Sequence, residues 1–141
     1  MAEIRRIVNQ VLSQLGTSRE ARYYLKQYSQ DDLQFAVIKI GGAVLEEQLE
    51  PLAAALAFLA NLGLMPIILH GAGPQLDVAL EQASIETVKR RGLRVTTPDV
   101  MEVARPVIYR ANRRLVSALE DQGVRAQGIQ HGVFVCDYLD Q

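Results

Sequence analysis

The N-terminal part of the chain places its apolar residues three or four positions apart. One stripe consists of Ile4, Ile7, Val8, Val11, Leu12 and Leu15. This period is typical of an amphipathic helix, and Gly16 is a residue at which such a helix ends. Thr17 and Glu20 have the spacing of a capping box, so a second helix is predicted to begin at Thr17 and to reach Tyr28.

The composition becomes polar over residues 29–32, where the sequence is SQDD. Polar segments of this kind connect structured units. We therefore expect two parts, an N-terminal helical arm over residues 1–30 and a main domain over residues 31–141.

The main domain begins with a strand, helix, strand pattern. Residues 35–40 and 65–69 are short apolar runs rich in β-branched residues, which are typical of strands buried on both faces of a sheet. Between them, apolar residues recur with a helical period over residues 49–60. Such a connection makes the two strands parallel, so their carboxyl ends share one edge of the sheet. The loops at residues 39–42 and 70–74 are therefore expected to be neighbours.

Further elements are predicted beyond the second loop. Residues 75–84 favour a helix, residues 88–97 an extended segment or hairpin, and residues 124–129 and 132–138 two strands. The alternation of strands and helices predicts an α/β fold with a mainly parallel central sheet.

A long helical pattern begins at Pro98 and reaches Gly123, with Pro106 inside it. Because proline removes a backbone donor and crowds the preceding turn, a kink or two successive helices are expected at Pro106.

The composition excludes several classes of function. The 15 Lys and Arg residues against 16 Asp and Glu residues give a net charge of −1, so nothing indicates binding to nucleic acid or to an anionic membrane. No apolar stretch approaches the length of a membrane span, and the N-terminus does not have the pattern of a signal peptide.

The single Cys136 cannot form an internal disulfide, which indicates a reducing, cytoplasmic setting. His131 and Cys136 do not have metal-ligand spacing, so no metal site is expected.

The first loop contains Lys39 followed by Gly41 and Gly42. A glycine pair allows positive φ and a close backbone approach, so N–H groups can converge on an anion, and Lys39 could neutralise a transferring phosphoryl group. The alternative is a tight turn with a lysine that reaches solvent from the end of a strand. The spacing matches neither a dinucleotide-binding glycine motif nor a Walker A motif.

The second loop, HGAGP, spans residues 70–74 and adds more backbone donors to the same edge of the sheet. Ligands of open α/β sheets bind at this edge. A strand-to-helix turn with Pro74 at the start of the helix is the alternative interpretation. His70 is given no catalytic role, because phosphoryl transfer needs positioning and charge neutralisation more than a strong base.

Arg94 lies in the sequence GLRVT, after the basic residues Lys89, Arg90 and Arg91. A guanidinium group can bind a carboxylate at two points, which suits an acidic substrate. A solvated surface arginine is the alternative.

The order KIGG, HGAGP and GLRVT resembles the first half of the amino-acid kinase family, in its N-acetylglutamate kinase branch, over about residues 35–140. This resemblance implies an incomplete three-layer αβα sandwich. It also implies that Lys39 stabilises the transferring phosphoryl group and that Arg94 holds the α-carboxylate of the substrate. The backbone N–H groups of the two loops are implied to bind the phosphoryl group and the acylamino acid, through Gly41, Gly42, Gly71, Ala72 and Gly73.

The chain departs from the family pattern in two ways. Ala72 stands where simple kinases of the family carry a glycine, which is similar to bifunctional N-acetylglutamate synthase/kinases, in which an acetyltransferase domain follows. The nucleotide-binding second half of the family, where ATP and Mg²⁺ bind, is not in this sequence. The chain alone is therefore not expected to catalyse, and it is interpreted as part of a larger protein.

The resemblance implies that the parent protein phosphorylates the side-chain carboxylate of N-acetyl-L-glutamate in arginine biosynthesis. A second hypothesis is a non-catalytic domain that binds L-arginine and regulates an attached N-acetylglutamate synthase. A third is an unrelated α/β domain that binds a phosphate-bearing metabolite. The apolar stripe of the arm, together with the family resemblance, predicts a homo-oligomer.

Overall fold

The computed structural model describes residues 34–91, 93–130 and 132–133. The predicted helical arm lies outside these residues. Of the predicted strand over residues 132–138, only Gly132 and Val133 are described, and they are not in a strand.

A parallel pair of strands forms the centre of the structure. The strands are β1 (Gln34–Ile40) and β2 (Leu64–His70), paired in register from Gln34 opposite Leu64 to Ile40 opposite His70. The connection contains two helices, α1 (Gly42–Glu47) and α2 (Leu49–Asn61). The predicted parallel strands with a helical crossover are confirmed.

Helix α3 (Gly73–Gln82) follows β2 directly. A short antiparallel hairpin comes next, made of β3 (Lys89–Arg90) and β4 (Leu93–Arg94). A hairpin was one of the two structures predicted for this segment. The last described element is the long helix α4 (Pro98–Asp121). Its start is set by Thr97, whose Oγ1 accepts a hydrogen bond from the backbone N–H of Val100 at 3.3 Å.

Side chains of the two strands alternate between a covered and an open face. The helical side is covered, because Ile38, Ile40 and Ile68 pack with residues of α1, α2 and α4. The buried members of this first core cluster are Ile40, Leu45, Ala53, Leu56, Leu115, Ala118 and Leu119. A second, smaller cluster joins the loop after β2 to α4 and contains Ala72, Val107 and Ala111.

The other face of the sheet is open among the described residues. It carries four large apolar side chains with relative exposures between 37% and 59%: Val37, Met65, Ile67 and Leu69. Parallel sheets are normally covered on both faces. The described residues therefore supply the sheet and one helical layer of an αβα sandwich.

The structure corrects two expectations. Residues 124–130 are not in a strand. This segment lies against the helical layer instead of pairing with an edge of the sheet, since Ala126 packs on the first core cluster. The alternative of two successive helices at Pro106 is also wrong. A single helix runs from Pro98 to Asp121, and its buried residues before and after Pro106 lie on one stripe.

No helix among the described residues is both long enough and apolar enough to cross a membrane.

We expect Pro106→Ala to increase the free energy of unfolding by about 2 kcal/mol. The substitution restores an N–H donor inside α4, which is worth about 3 kcal/mol, and a smaller opposing effect of about 1 kcal/mol comes from the more flexible unfolded chain. Urea unfolding followed by circular dichroism measures the change. Arg105→Ala is the matched control at the neighbouring exposed position, with an expected change below about 0.5 kcal/mol. A Pro106→Ala protein no more stable than its parent would contradict the prediction.

Candidate functional site

The two glycine loops meet where β1 and β2 end. The backbone N–H of Gly71 donates to the carbonyl oxygen of Ile40 at 3.1 Å, which continues the strand pairing into the loops. The predicted proximity of the loops is confirmed.

The closest contact between the loops is at Gly42. A Cβ atom built on Gly42 would lie 2.8 Å from the backbone nitrogen of Gly73 and 2.9 Å from the Cα of Ala72. Gln75 crosses the same contact, since its Nε2 donates to the carbonyl oxygen of Gly42 at 2.8 Å. Only glycine allows this separation between two backbones.

This glycine pair was expected to allow positive φ and a close backbone approach, and neither of its two glycines has a positive φ. Gly41 has a φ of −71°, and the glycines with positive φ among the described residues are Gly63, Gly123 and Gly132. The site needs glycine at position 42 for space and not for a left-handed backbone. In contrast, Cβ atoms built on Gly41, Gly71 and Gly73 would meet no atom of the described residues within 4 Å, so these residues leave the space beside the three glycines open.

Both loops lead into the N-terminus of a helix. Gly41 is the N-cap of α1 and Ala72 is the N-cap of α3, and neither residue has a side chain that accepts a hydrogen bond from the first backbone N–H groups of its helix. The first N–H groups of a helix have no partner within the helix and carry partial positive charge. Two uncapped helix starts packed together therefore form an arrangement that can bind an anion.

Ala72 differs from its glycine neighbours because its side chain belongs to the core. It is 5% exposed and packs with Val107 and Ala111 of α4. Only the backbone of Ala72 can therefore contact a ligand. The methyl group anchors the second loop to α4.

Lys39 projects from the open face of the sheet. Its position is opposite Leu69 in the strand register, and its side chain is exposed. The ammonium group of Lys39 makes no hydrogen bond or ion pair with the part of the chain that the structure describes. Its ammonium group is therefore available to a ligand at the end of β1.

A polar cluster that the sequence did not reveal stabilises the contact between the loops. Glu46 accepts hydrogen bonds from Gln75 Nε2 at 3.1 Å and from Arg114 Nη1 at 2.7 Å. These bonds, first the one from Gln75 and then the one from Arg114, hold the pKa of Glu46 below its usual value. The cluster connects α1, α3 and α4 behind the two loops.

His70 is connected to Asn112, for which no role was predicted. Asn112 Nδ2 and His70 Nε2 are 3.2 Å apart. Their other polar atoms, His70 Nδ1 and Asn112 Oδ1, are buried without a hydrogen-bond partner among the described residues. A Cβ atom at Gly128 would lie 1.8 Å from Asn112 Oδ1, so the segment after α4 packs directly on this pair. These contacts connect the end of β2 to α4 and to the segment that follows α4.

Arg94 is not a solvated surface residue. Its side chain is 14% exposed, and its Nη2 donates to Asp77 Oδ1 of α3. This hydrogen bond lowers the pKa of Asp77, and the charges of Arg94 and then Lys89 add to the effect. Because Asp77 lies one helical turn beyond Gly73, the ion pair places β4 beside the helix that begins at the second loop.

The described residues contain no group of three or more His, Cys, Asp or Glu side chains that could hold a metal ion.

Comparisons with known proteins identify the family to which the chain is similar. Residues 34–141 match the sequence model of the amino acid kinase family. The chain is 48% identical to "Protein ARG5,6, mitochondrial" of Candida albicans over 135 residues, which cover 95% of this chain and 16% of that protein. It is also 48% identical to an acetylglutamate kinase of Xanthomonas campestris pv. campestris, over 90% of this chain and 30% of the enzyme. The chain thus spans less than a third of the length of these relatives.

Among solved structures, the chain is similar to N-acetylglutamate synthase from Neisseria gonorrhoeae complexed with coenzyme A and N-acetyl-glutamate. The TM-score is 0.61 at 28% identity, over 76% of this chain and 26% of the synthase chain. A second structure of that synthase, complexed with coenzyme A and L-arginine, gives a TM-score of 0.57 at 31% identity, over 72% of this chain and 23% of the synthase chain.

We expect Gly42→Ala to decrease the free energy of unfolding by about 1–3 kcal/mol, because the methyl group would force two backbones apart. Gly41→Ala is the matched control, since its Cβ meets open space and its φ suits any residue. Its expected change is below about 1 kcal/mol. Chemical denaturation of both variants measures the difference, and equal stabilities would show that the contact at Gly42 is not restrictive.

Proposed function

The chain belongs to the amino acid kinase family, and we propose that it forms the acylamino-acid-binding half of an acetylglutamate kinase domain. In this proposal the parent protein transfers a phosphoryl group from ATP, with Mg²⁺, to the side-chain carboxylate of N-acetyl-L-glutamate. The observation that carries the proposal is the packing of the two glycine loops at Gly42, each leading into a helix start without a capping side chain, with the side chain of Lys39 exposed at the end of β1. The acetylglutamate kinase relatives support the choice of substrate.

Each part of the site has a distinct task in this proposal. The backbone N–H groups of the two loops bind the phosphoryl group and the acyl end of the substrate, where fixed donors stabilise developing negative charge. Lys39 neutralises charge on the transferring group. Arg94 binds the α-carboxylate, which does not take part in the reaction, and so sets the orientation of the substrate.

The nucleotide and Mg²⁺ are assigned mainly to the rest of the parent protein. The described residues offer no cluster of metal ligands, so in this proposal the phosphates of ATP and residues elsewhere in the parent hold the ion. When bound there, Mg²⁺ neutralises charge on the phosphates.

A regulatory function is the second candidate, supported by the similarity to a synthase structure that contains L-arginine. In that case the domain binds L-arginine and controls an attached acetyltransferase. The presence of Lys39 and of both open loops favours catalysis. The cytoplasmic setting stays a prediction, because several relatives are named as mitochondrial. The homo-oligomer also stays a prediction.

The full-length protein is expected to release ADP from ATP in the presence of N-acetyl-L-glutamate and Mg²⁺, and hydroxylamine should trap the acyl phosphate product. Lys39→Ala should lower kcat by about a hundredfold or more, with a smaller change in KM, because the lysine acts on charge that develops in the transition state. Arg105→Ala, which also removes one exposed positive charge, is the control. L-arginine binding without turnover would favour the regulatory function, and an unchanged kcat in Lys39→Ala would remove Lys39 from the mechanism.

Arg94→Ala and Arg94→Lys are expected to weaken binding of N-acetyl-L-glutamate about tenfold to a hundredfold. The affinity for ATP should hardly change, because in this proposal the α-carboxylate is distant from the nucleotide. Lysine should be a poor substitute, since it lacks the planar fork that contacts a carboxylate at two points. Titration calorimetry measures the affinities for N-acetyl-L-glutamate and for ATP. Arg91→Ala, in the same hairpin, is the control variant. Normal substrate binding by both Arg94 variants would contradict this role.

A further inference from the structure

Three charged side chains meet between the hairpin and α3. Lys89 and Arg94 are directly opposite each other in the antiparallel register of β3 and β4. Like charges in this position destabilise a hairpin. Asp77 lies between them, with Oδ1 on Arg94 Nη2 and Oδ2 4.0 Å from Lys89 Nζ. One carboxylate therefore allows two cations to be neighbours beside the second glycine loop.

The contact between Asp77 and Arg94 uses only one end of the guanidinium group. Nη2 is bonded to Asp77, whereas Nη1 is buried and has no hydrogen-bond partner among the described residues. A buried donor without an acceptor is unfavourable. Such a donor indicates an acceptor that is supplied from elsewhere, and a ligand carboxylate is the acceptor that a guanidinium group binds best.

Asp77 could either compete with a ligand for Arg94 or orient Arg94 toward it. A competing carboxylate would occupy both ends of the guanidinium group, which is the preferred geometry of such pairs. Asp77 instead shares its oxygens between Arg94 and Lys89 and leaves Nη1 unbonded. Arginine also has a long side chain with many rotamers, so a fixed partner lowers the entropy that binding a ligand would cost.

We propose that Asp77 is a positioning residue for substrate recognition: it holds Nη2 of Arg94 so that Nη1 is directed to the α-carboxylate of the acylamino acid. The inference rests on the proposed function, since it takes Arg94 as the group that binds the substrate. It adds a specificity-determining residue on α3 that does not itself touch the substrate.

The experiment compares N-acetyl-L-glutamate with its α-carboxamide, which keeps the side-chain carboxylate that is phosphorylated. In the full-length protein, Asp77→Ala should raise KM for the acid about fivefold, with little change in kcat or in KM for the amide. The preference for the acid over the amide should fall by the same factor. Asp77→Asn keeps an oxygen acceptor for Nη2 and should recover most of the preference, to within about twofold of the parent. In an Arg94→Ala background, Asp77→Ala should have no further effect.

Glu81→Gln is the matched control, because it removes a negative charge from an exposed position four residues later in the same helix. The Glu81→Gln variant should prefer the acid over the amide by the same factor as the unmutated protein. Tighter binding of the acid by Asp77→Ala would show competition and overturn the proposal. An equal rise in KM for the acid and the amide would indicate a purely structural role and would also overturn the proposal. So would effects of Asp77→Ala and Arg94→Ala on KM for the acid that add up in the double variant.

The outcomes also separate this inference from the proposed function. If the unmutated protein does not use N-acetyl-L-glutamate, or if Arg94→Ala keeps the preference for the acid, both proposals are overturned. If Arg94→Ala abolishes the preference but Asp77→Ala preserves it, only the role of Asp77 is overturned.

Discussion

The close approach of two backbones at Gly42 is the constraint on which the site depends. Helix α1 can begin beside helix α3 only because no side chain separates Gly42 from Ala72 and Gly73. Gln75 then bonds the carbonyl of Gly42, and Glu46 and Arg114 extend the hydrogen bonds toward α4. The positive ends of the two helices repel each other in this arrangement, and a bound anion would offset that repulsion. In the proposed function, the glycine that permits the packing of the loops therefore also permits the anion site.

Local patterns were sufficient to predict the two parallel strands β1 and β2, their crossover and the position of both loops. Buried strands and amphipathic helices have different periods, and the parallel direction that a helical crossover gives the two strands makes the loops at their carboxyl ends neighbours. Positive φ and a close backbone approach were both expected of the glycine pair, and the sequence could not show that Gly42 uses only the close approach. The strand predicted at residues 124–129 was wrong because a strand needs a partner, and strand pairing is not a local property.

Pairs that connect distant parts of the chain were not predictable from sequence. Asp77 with Arg94 and His70 with Asn112 join residues whose types are common and whose spacing follows no motif. Only the fold brings them together, through the packing of α3 and α4 on the loops. The role of Arg94 itself, as a carboxylate ligand, rests on the family resemblance and on its partly buried position.

The open face of the sheet links the completion of the fold to the chemistry of Lys39. Lys39 and the exposed side chains of Val37, Ile67 and Leu69 lie on the same face, as the alternation of β1 and β2 requires. A layer that covers these apolar side chains would also cover the stem of Lys39. In a medium of lower polarity, the attraction between an ammonium group and a phosphoryl group is stronger than in water. In the proposed function, burial of the apolar face by a second layer would therefore also strengthen the interaction of Lys39 with the phosphoryl group.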